Sequence, residues 1–370
     1  MPKVNDIVAV AESLGKKSIA VVRDRCVAVR HRRASCRRCI DVCPAGAIEV
    51  GGNELTLDAK ACIACGACAA ACPTEALVPI NPADEALSTS IETAISANNG
   101  RAVFACARIA SKHIADPETY AEVPCLPRVD EPLMLALASR GADSIILVDG
   151  NCETCKFHDC SPLTDATVER ANSLLAAHGS SLEVKRVTGF PDDMRVEDTK
   201  GLFGATRRGF FSDAVGSAKE AAMTAAKVTV AQEFGYDLDE IAIGERLRVG
   251  ENGTLPQIGA RKHEVAINAL DALGGPTADE IESRLFGSVT IDTKRCNSCG
   301  MCATFCPTGA LRRDTPEKPG DMLRYFEFSA SECVQCGLCA DVCMKHAVKV
   351  SATVKTDELY DFEPVTFNLR

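Results

Sequence analysis

The feature that most constrains this chain is its 21 cysteines in 370 residues, gathered into three blocks. Eight lie between Cys26 and Cys72, five between Cys106 and Cys160, and eight between Cys296 and Cys343, so none falls outside a block. A secreted disulfide scaffold is short and evenly paired; this chain is long, has an odd count and shows no leader with a basic start and an apolar stretch. Metal ligation by thiols in a reducing compartment, the cytoplasm, is the expected use. With 46% hydrophobic residues the chain can also bury ordinary cores, which a disordered or collagen-like chain cannot.

The outer blocks are an internal repeat. Cys62, Cys65, Cys68 and Cys72 follow C-x2-C-x2-C-x3-C with Pro73 next. The same spacing returns at Cys296, Cys299, Cys302 and Cys306 with Pro307, and at Cys333, Cys336, Cys339 and Cys343 with Met344. Such spacing suits a 4Fe-4S cluster, because three thiolates wrap one cubane from a tight loop while the fourth cysteine ligates the neighbouring cluster. Crossing then groups Cys296, Cys299, Cys302 and Cys343 in one set, and Cys333, Cys336, Cys339 and Cys306 in the other. Structural zinc in four-cysteine sites is the bland alternative, and three full repeats of this length suit it poorly.

The first repeat is irregular. Cys36, Cys39 and Cys43 with Pro44 keep the pattern, but Arg33 stands where the leading cysteine belongs. A longer loop from Cys26 would complete the set Cys26, Cys36, Cys39 and Cys72, leaving Cys62, Cys65, Cys68 and Cys43 for the second cluster. A three-cysteine cluster with an open iron is the alternative. Both ends of the chain resemble bacterial-type dicluster ferredoxins, down to the small residues Gly66, Ala67, Gly300 and Gly337 inside the loops. The resemblance implies four 4Fe-4S clusters.

Between the ends, residues 101–105, 121–124, 144–149 and 182–187 read as short strands, separated by helical patterns at 133–140 and 166–178. That alternation predicts a small parallel α/β sheet. Cys106, Cys125 and Cys152 then fall at carboxyl ends of strands, the rim where such sheets bind ligands, with Cys155 and Cys160 just beyond. The stretch from Phe104 to Cys160 resembles the iron-sulfur delta subunit of methyl-viologen-reducing hydrogenases, carried by Cys125-Leu126-Pro127-Arg128-Val129-Asp130, Gly141-Ala142-Asp143-Ser144-Ile145 and Cys155-Lys156-Phe157. Ile109 stands where that family has a second cysteine, and Gly150 where it has another. By this analogy a 2Fe-2S centre is expected on Cys125, Cys152, Cys155 and Cys160, with Cys106 as a fifth candidate; a fifth 4Fe-4S cluster, zinc, and free buried thiols stay open.

The division that results is an N-terminal dicluster ferredoxin-like domain over 1–90, an α/β delta-subunit-like domain over 91–190, a helical connecting region over 191–285 and a second dicluster domain over 286–370. In the connecting region, Asp213 to Gln232 and Arg261 to Leu273 read as helices, and Thr277 with Glu280 as a capping box opening another. Thr206 to Phe211 looks like a twin-arginine signal but is internal, and reads as structural.

Seven arginines and one aspartate between Arg23 and Arg38 surround the first proposed cluster in a chain of formal charge −10, a patch that would dock an acidic carrier or tune the cluster, or else be paired internally. The acidic balance gives no footprint for nucleic acid, and no run of residues is apolar enough to span a bilayer. No dinucleotide fingerprint, P-loop or nucleophile-base pair is present, so no catalytic residue is named. His158, between Cys155 and Cys160, is a weak ligand candidate. The expectation is an electron-transfer subunit, the partners implied by resemblance being a hydrogenase, a heterodisulfide-reductase-like flavoprotein or another large oxidoreductase, and a ferredoxin-like carrier. The alternative is a reductase with a substrate-accessible cluster.

Overall fold

The computed structural model describes residues 18–196, 247–314 and 322–369. The expected helix Asp213 to Gln232 and the segment Thr206 to Phe211 lie outside the described residues.

The N-terminal module is built from short elements around its cysteines: β1 (Ile19–Val21), α1 (Val27–Arg30), α2 (Arg38–Asp41), β2 (Ile48–Gly51), β3 (Glu54–Leu57), α3 (Ala67–Ala71) and β4 (Leu77–Pro79). Strand β1 pairs antiparallel with β4, and β2 with β3. The β2–β3 connection is the two-residue turn Gly52-Asn53, both at positive φ, the primed geometry that matches strand twist. Asn53 also donates from Nδ2 to the Val29 carbonyl at 2.9 Å, fastening the hairpin to α1.

The middle of the chain is a four-stranded parallel sheet. Helix α4 (Asp84–Ala97) leads into β5 (Arg101–Cys106), then α5 (Ala107–Ala110), β6 (Ala121–Val123), α6 (Glu131–Ser139), β7 (Ser144–Asp149), α7 (Ser161–Ala177) and β8 (Val184–Thr188). The strand order is β6-β5-β7-β8, every pairing parallel. Ala102 to Ala105 are wholly buried, as a strand covered on both faces requires. Helix α4 crosses residue 90, and its Leu87, Ile91 and Ala94, at helical spacing, pack into the core of the sheet. Asp130 caps α6 by accepting the Leu133 amide at 3.2 Å.

Helix α8 (Arg261–Leu273) packs on α6, and its Ala266, Ile267, Ala269 and Leu270 join the same core. The helix expected from Thr277 does not form: β9 (Glu280–Glu282) occupies that place, and Thr277 donates from its amide and Oγ1 to Ala177 at the end of α7, at 2.8 and 3.0 Å. Antiparallel pairing of β9 with the later strand Thr353–Lys355 outweighs the local capping signal.

The C-terminal module repeats the first. It comprises β10 (Ser288–Ile291), α9 (Met301–Thr304), β11 (Leu311–Arg313), β12 (Tyr325–Phe328), α10 (Leu338–Asp341), β13 (Val348–Ser351), β14 (Thr353–Lys355), α11 (Thr356–Tyr360) and β15 (Val365–Asn368). Strands β10 and β13 pair as β1 and β4 do, and β11 with β12 as β2 with β3. Strand β15 adds to the edge of β12, and β14 to β9. One continuous core runs from the parallel sheet through α8 into this module, while the N-terminal module has a small core of its own.

Candidate metal centres

Three of the four repeats share one backbone device. Ala64, Ser298 and Gln335, each one residue before the second cysteine, and Gly66, Gly300 and Gly337, each one residue after it, have positive φ, between 53° and 80°. Two left-handed residues flanking a cysteine coil the loop tightly, and the small residue after the cysteine starts the short helix carrying the third. In the irregular repeat the residue after Cys36 is Arg37, at φ −127°, and the coil is absent. Instead Cys26 caps α1, its sulfur facing the amides of Ala28 and Val29, and the chain returns to Cys36 through a loop.

Mutual electrostatics shows which thiols stand together. Burial, then repulsion from Cys299 and Cys343, pushes the Cys296 thiol up; burial drives Cys302 to about 12, with Cys296, Cys299 and Cys343 beside it. Burial likewise drives Cys333 to about 12 with Cys306 beside it, and raises Cys336 and Cys339, which face Cys306 and Cys333. In the N-terminal module Cys39 is pushed to about 12 by burial and then by Cys72, Cys26 and Cys36. Cys68, also about 12 through burial, has Cys65, Cys62 and Cys43 around it. The fourth cysteine of each repeat thus stands with the other repeat's triple, and Cys26 with Cys36, Cys39 and Cys72.

These surroundings fit iron-sulfur clusters. Burial disfavours the ionised thiol, so a cation that supplies compensating charge is what makes these cysteines thiolate ligands. Backbone amides already aim at the sulfurs: Ala47 to Cys43 at 3.3 Å, Ala76 to Cys72 at 3.2 Å, Ala347 to Cys343 at 3.3 Å and Ser298 to Cys296 at 3.4 Å. Such donors stabilise the electron-rich sulfur of a reduced cluster. Among the described residues, no three His, Cys, Asp or Glu side chains close around a point where a single ion would touch them all.

The five middle cysteines line one cavity of about 380 Å³ at the carboxyl ends of β5, β6 and β7, together with Arg108 and Lys156. Cys106 ends β5 and faces the amides of Ile109, Gly150 and Arg108. Burial raises Cys106 and Cys152, and each also feels Cys125. Cys155 is half-buried on the same wall. Cys160, at the start of α7, is buried and lines the cavity as well; its thiol hydrogen-bonds to Cys125 and, across the module boundary, to Cys65. That hydrogen bond holds Cys65 down at about 7 and Cys125 below its ordinary value, and raises Cys160 itself. His158 is exposed, its Nε2 3.4 Å from Asp159 Oδ1.

Part of the arginine patch is held by contacts within the protein, while Arg23, Arg32, Arg33 and Arg37 stay exposed. Arg25 reaches the Gly259 carbonyl, Arg30 that of Pro256 at 2.7 Å, Arg33 the Met344 sulfur, and Arg38 the carbonyls of Arg284 and Gln335 at 3.2 and 2.8 Å. Sequence spacing alone carries no sign of these partners, which lie more than 200 residues away.

Comparison with known proteins agrees with this geometry. Residues 32–76 and 288–347 match the family model of the 4Fe-4S dicluster domain, and residues 97–191 that of the delta subunit of methyl-viologen-reducing hydrogenase. A 7Fe ferredoxin of Hydrogenibacillus schlegelii is 44% identical over 39 residues, 10% of this chain. The match spans 50% of that ferredoxin's own length. The chain therefore carries 4Fe-4S dicluster domains toward both ends and a delta-subunit domain between them. No described helix is long and apolar enough to cross a membrane.

Proposed function

We propose that this chain is a multi-cluster electron-transfer subunit, relaying electrons between a larger oxidoreductase, a hydrogenase or a heterodisulfide-reductase-like flavoprotein, and a second redox partner such as a ferredoxin, in the cytoplasm. The carrying observation is that the sixteen outer cysteines gather in four fours by motif crossing. We assign one 4Fe-4S cluster to each four: Cys26, Cys36, Cys39 and Cys72; Cys43, Cys62, Cys65 and Cys68; Cys296, Cys299, Cys302 and Cys343; and Cys306, Cys333, Cys336 and Cys339. The clusters supply one-electron chemistry; the chain's own residues fix their spacing, exclude water and set potential through amide donors and nearby charge.

For the middle cavity we assign a 2Fe-2S centre to Cys106, Cys125, Cys152 and Cys155. This departs from the set expected by family analogy, which used Cys160 in place of Cys106. The departure rests on Cys160 being the most enclosed of the five, packed with Cys65 and Ala67, while Cys106 and Cys152 each have Cys125 beside them. The size and solvent access of this cavity favour a second reading, a reductase whose substrate enters there.

Native mass spectrometry of the chain purified anaerobically from its source tests the proposal. About 18 iron atoms, together with a larger redox subunit, are expected from this ligation. A chain that flies alone with far less iron overturns it, and turnover of a small substrate by the isolated chain moves the balance to the reductase.

A further inference from the structure

The irregular first repeat has a structural consequence. The loop between Cys26 and Cys36 is where the N-terminal module meets the C-terminal one. His31 packs edge-on against Phe305 with centroids 4.5 Å apart. Ser35 gives its amide to Asp341 Oδ2 at 2.7 Å and its hydroxyl to Oδ1 at 2.9 Å. Cys36 packs against the core that holds Cys306, Cys333 and Cys339. A regular motif, with a cysteine at Arg33, would have no such loop to offer.

Two arginines lie at this contact, Arg30 buried and Arg38 half-buried. Arg38, beside Cys39, donates Nη2 to both the Gln335 carbonyl at 2.8 Å and Gln335 Oε1 at 2.7 Å, and Gln335 adjoins Cys336. Its charge acts on Cys36 and Cys72 of one module and on Cys336 of the other. Arg30 is only 5% exposed; it belongs to the N-terminal module, yet the thiols it faces are Cys306 and Cys336. Its Nε has no hydrogen-bond partner. A buried cation without full hydrogen bonding is unfavourable unless negative charge nearby offsets it, and thiolate-ligated clusters carry such charge.

We infer that Arg38 is a positioning residue shared by two redox centres, its guanidinium fixing the contact between the modules and adding one positive charge to the cluster site of Cys26, Cys36, Cys39 and Cys72 and to that of Cys306, Cys333, Cys336 and Cys339. The inference rests on the ligation proposed above. A fixed cation favours the reduced, more negative form, so both centres are held at higher potential than their burial alone would give.

The test is an EPR-monitored redox titration of the full chain, purified anaerobically, as wild type, Arg38→Gln, Arg38→Lys and Arg30→Gln, with iron counted in each. Cys39→Ala and Cys339→Ala identify which signal belongs to which module. Arg38→Gln is expected to lower two midpoints, one in each module, and Arg38→Lys to restore most of both. Arg30→Gln, a change in the N-terminal module, is expected to lower a C-terminal midpoint alone; it stands as an independent reading if Arg38→Gln loses clusters. Shifts confined to the module that carries the substitution, or no shift with four clusters retained, overturn the inference. A wild-type iron count short of four clusters overturns the ligation itself before any variant is read.

Discussion

Arg284 clamps Glu131 through two parallel hydrogen bonds, Nε to Oε1 at 2.8 Å and Nη2 to Oε2 at 2.5 Å. Arg170 adds a third bond to Oε1 at 2.6 Å, and the Arg284 carbonyl accepts from Arg38. Glu131 is completely buried at the start of α6, so one carboxylate ties the parallel sheet to the segment entering the C-terminal module and, through Arg284, to the N-terminal one.

Removing that carboxylate leaves two guanidinium groups facing an apolar void. Breaking a buried ion pair from one side typically costs about 3–5 kcal/mol; Arg284 and Arg170 keep partial solvent contact, which places Glu131→Ala at the low end, about 3 kcal/mol. Glu131→Gln retains one acceptor and is expected to lose less. Thermal unfolding of the iron-loaded chain measures both, and a Glu131→Ala melting point equal to wild type contradicts the account.

Gly66 and Gly337 share the left-handed backbone but not the surroundings. A Cβ on Gly66 would meet the Arg128 backbone Cα at 2.9 Å and its side chain at 2.8 Å, whereas nothing lies within 4 Å of one on Gly337. Both alanine substitutions carry the left-handed penalty of about 1–2 kcal/mol. Gly66→Ala must also drive the loop away from Arg128, itself buried and paired with Asp84. We expect Gly66→Ala to lose cluster iron and Gly337→Ala to keep it, read by iron analysis after gel filtration. Equal loss in the two variants would assign the whole effect to backbone strain.

Cys160 lies closer to the N-terminal module than its place in the chain suggests. Its thiol is occupied by Cys65 and Cys125, while Cys106 faces the amides of Ile109, Gly150 and Arg108, the polarity a ligating thiolate wants. Cys160→Ala is accordingly expected to retain the middle centre, and Cys106→Ala to lose its iron, about two atoms for a 2Fe-2S centre. Visible absorption and iron counts on the two variants decide it, and the opposite pattern would return the ligand set to Cys125, Cys152, Cys155 and Cys160.

The cysteine spacing made both terminal modules and the parallel sheet legible, because coiled ligand loops and β-α alternation are local in sequence. Strands β5 and β7 were plain from the apolar runs at Val103 and Ile145. What stayed hidden was non-local. Thr277 with Glu280 has the letters of a helix start, yet β14 claims Glu280 through tertiary pairing. The arginines near Cys36 read equally well as a docking patch; only the fold brings Gln335 to Arg38 and Pro256 to Arg30. The burial of Cys160 is also a property of packing, among Ala67 and Leu163.

Cys26 carries the least regular assignment, and its substitution gives a qualitative signature. Its sulfur faces the Ala28 and Val29 amides and stands with Cys36 and Cys72, and burial pushes its thiol up. If it is the fourth ligand, Cys26→Ala leaves Cys36, Cys39 and Cys72 holding a cluster with one unligated iron, the iron lost most readily on oxidation. About one iron fewer per chain is then expected, with the EPR signal of an oxidised three-iron cluster that wild type lacks. Were the site instead built with three cysteines and an open iron, wild type would already show that signal under oxidation, and Cys26→Ala would add nothing to it.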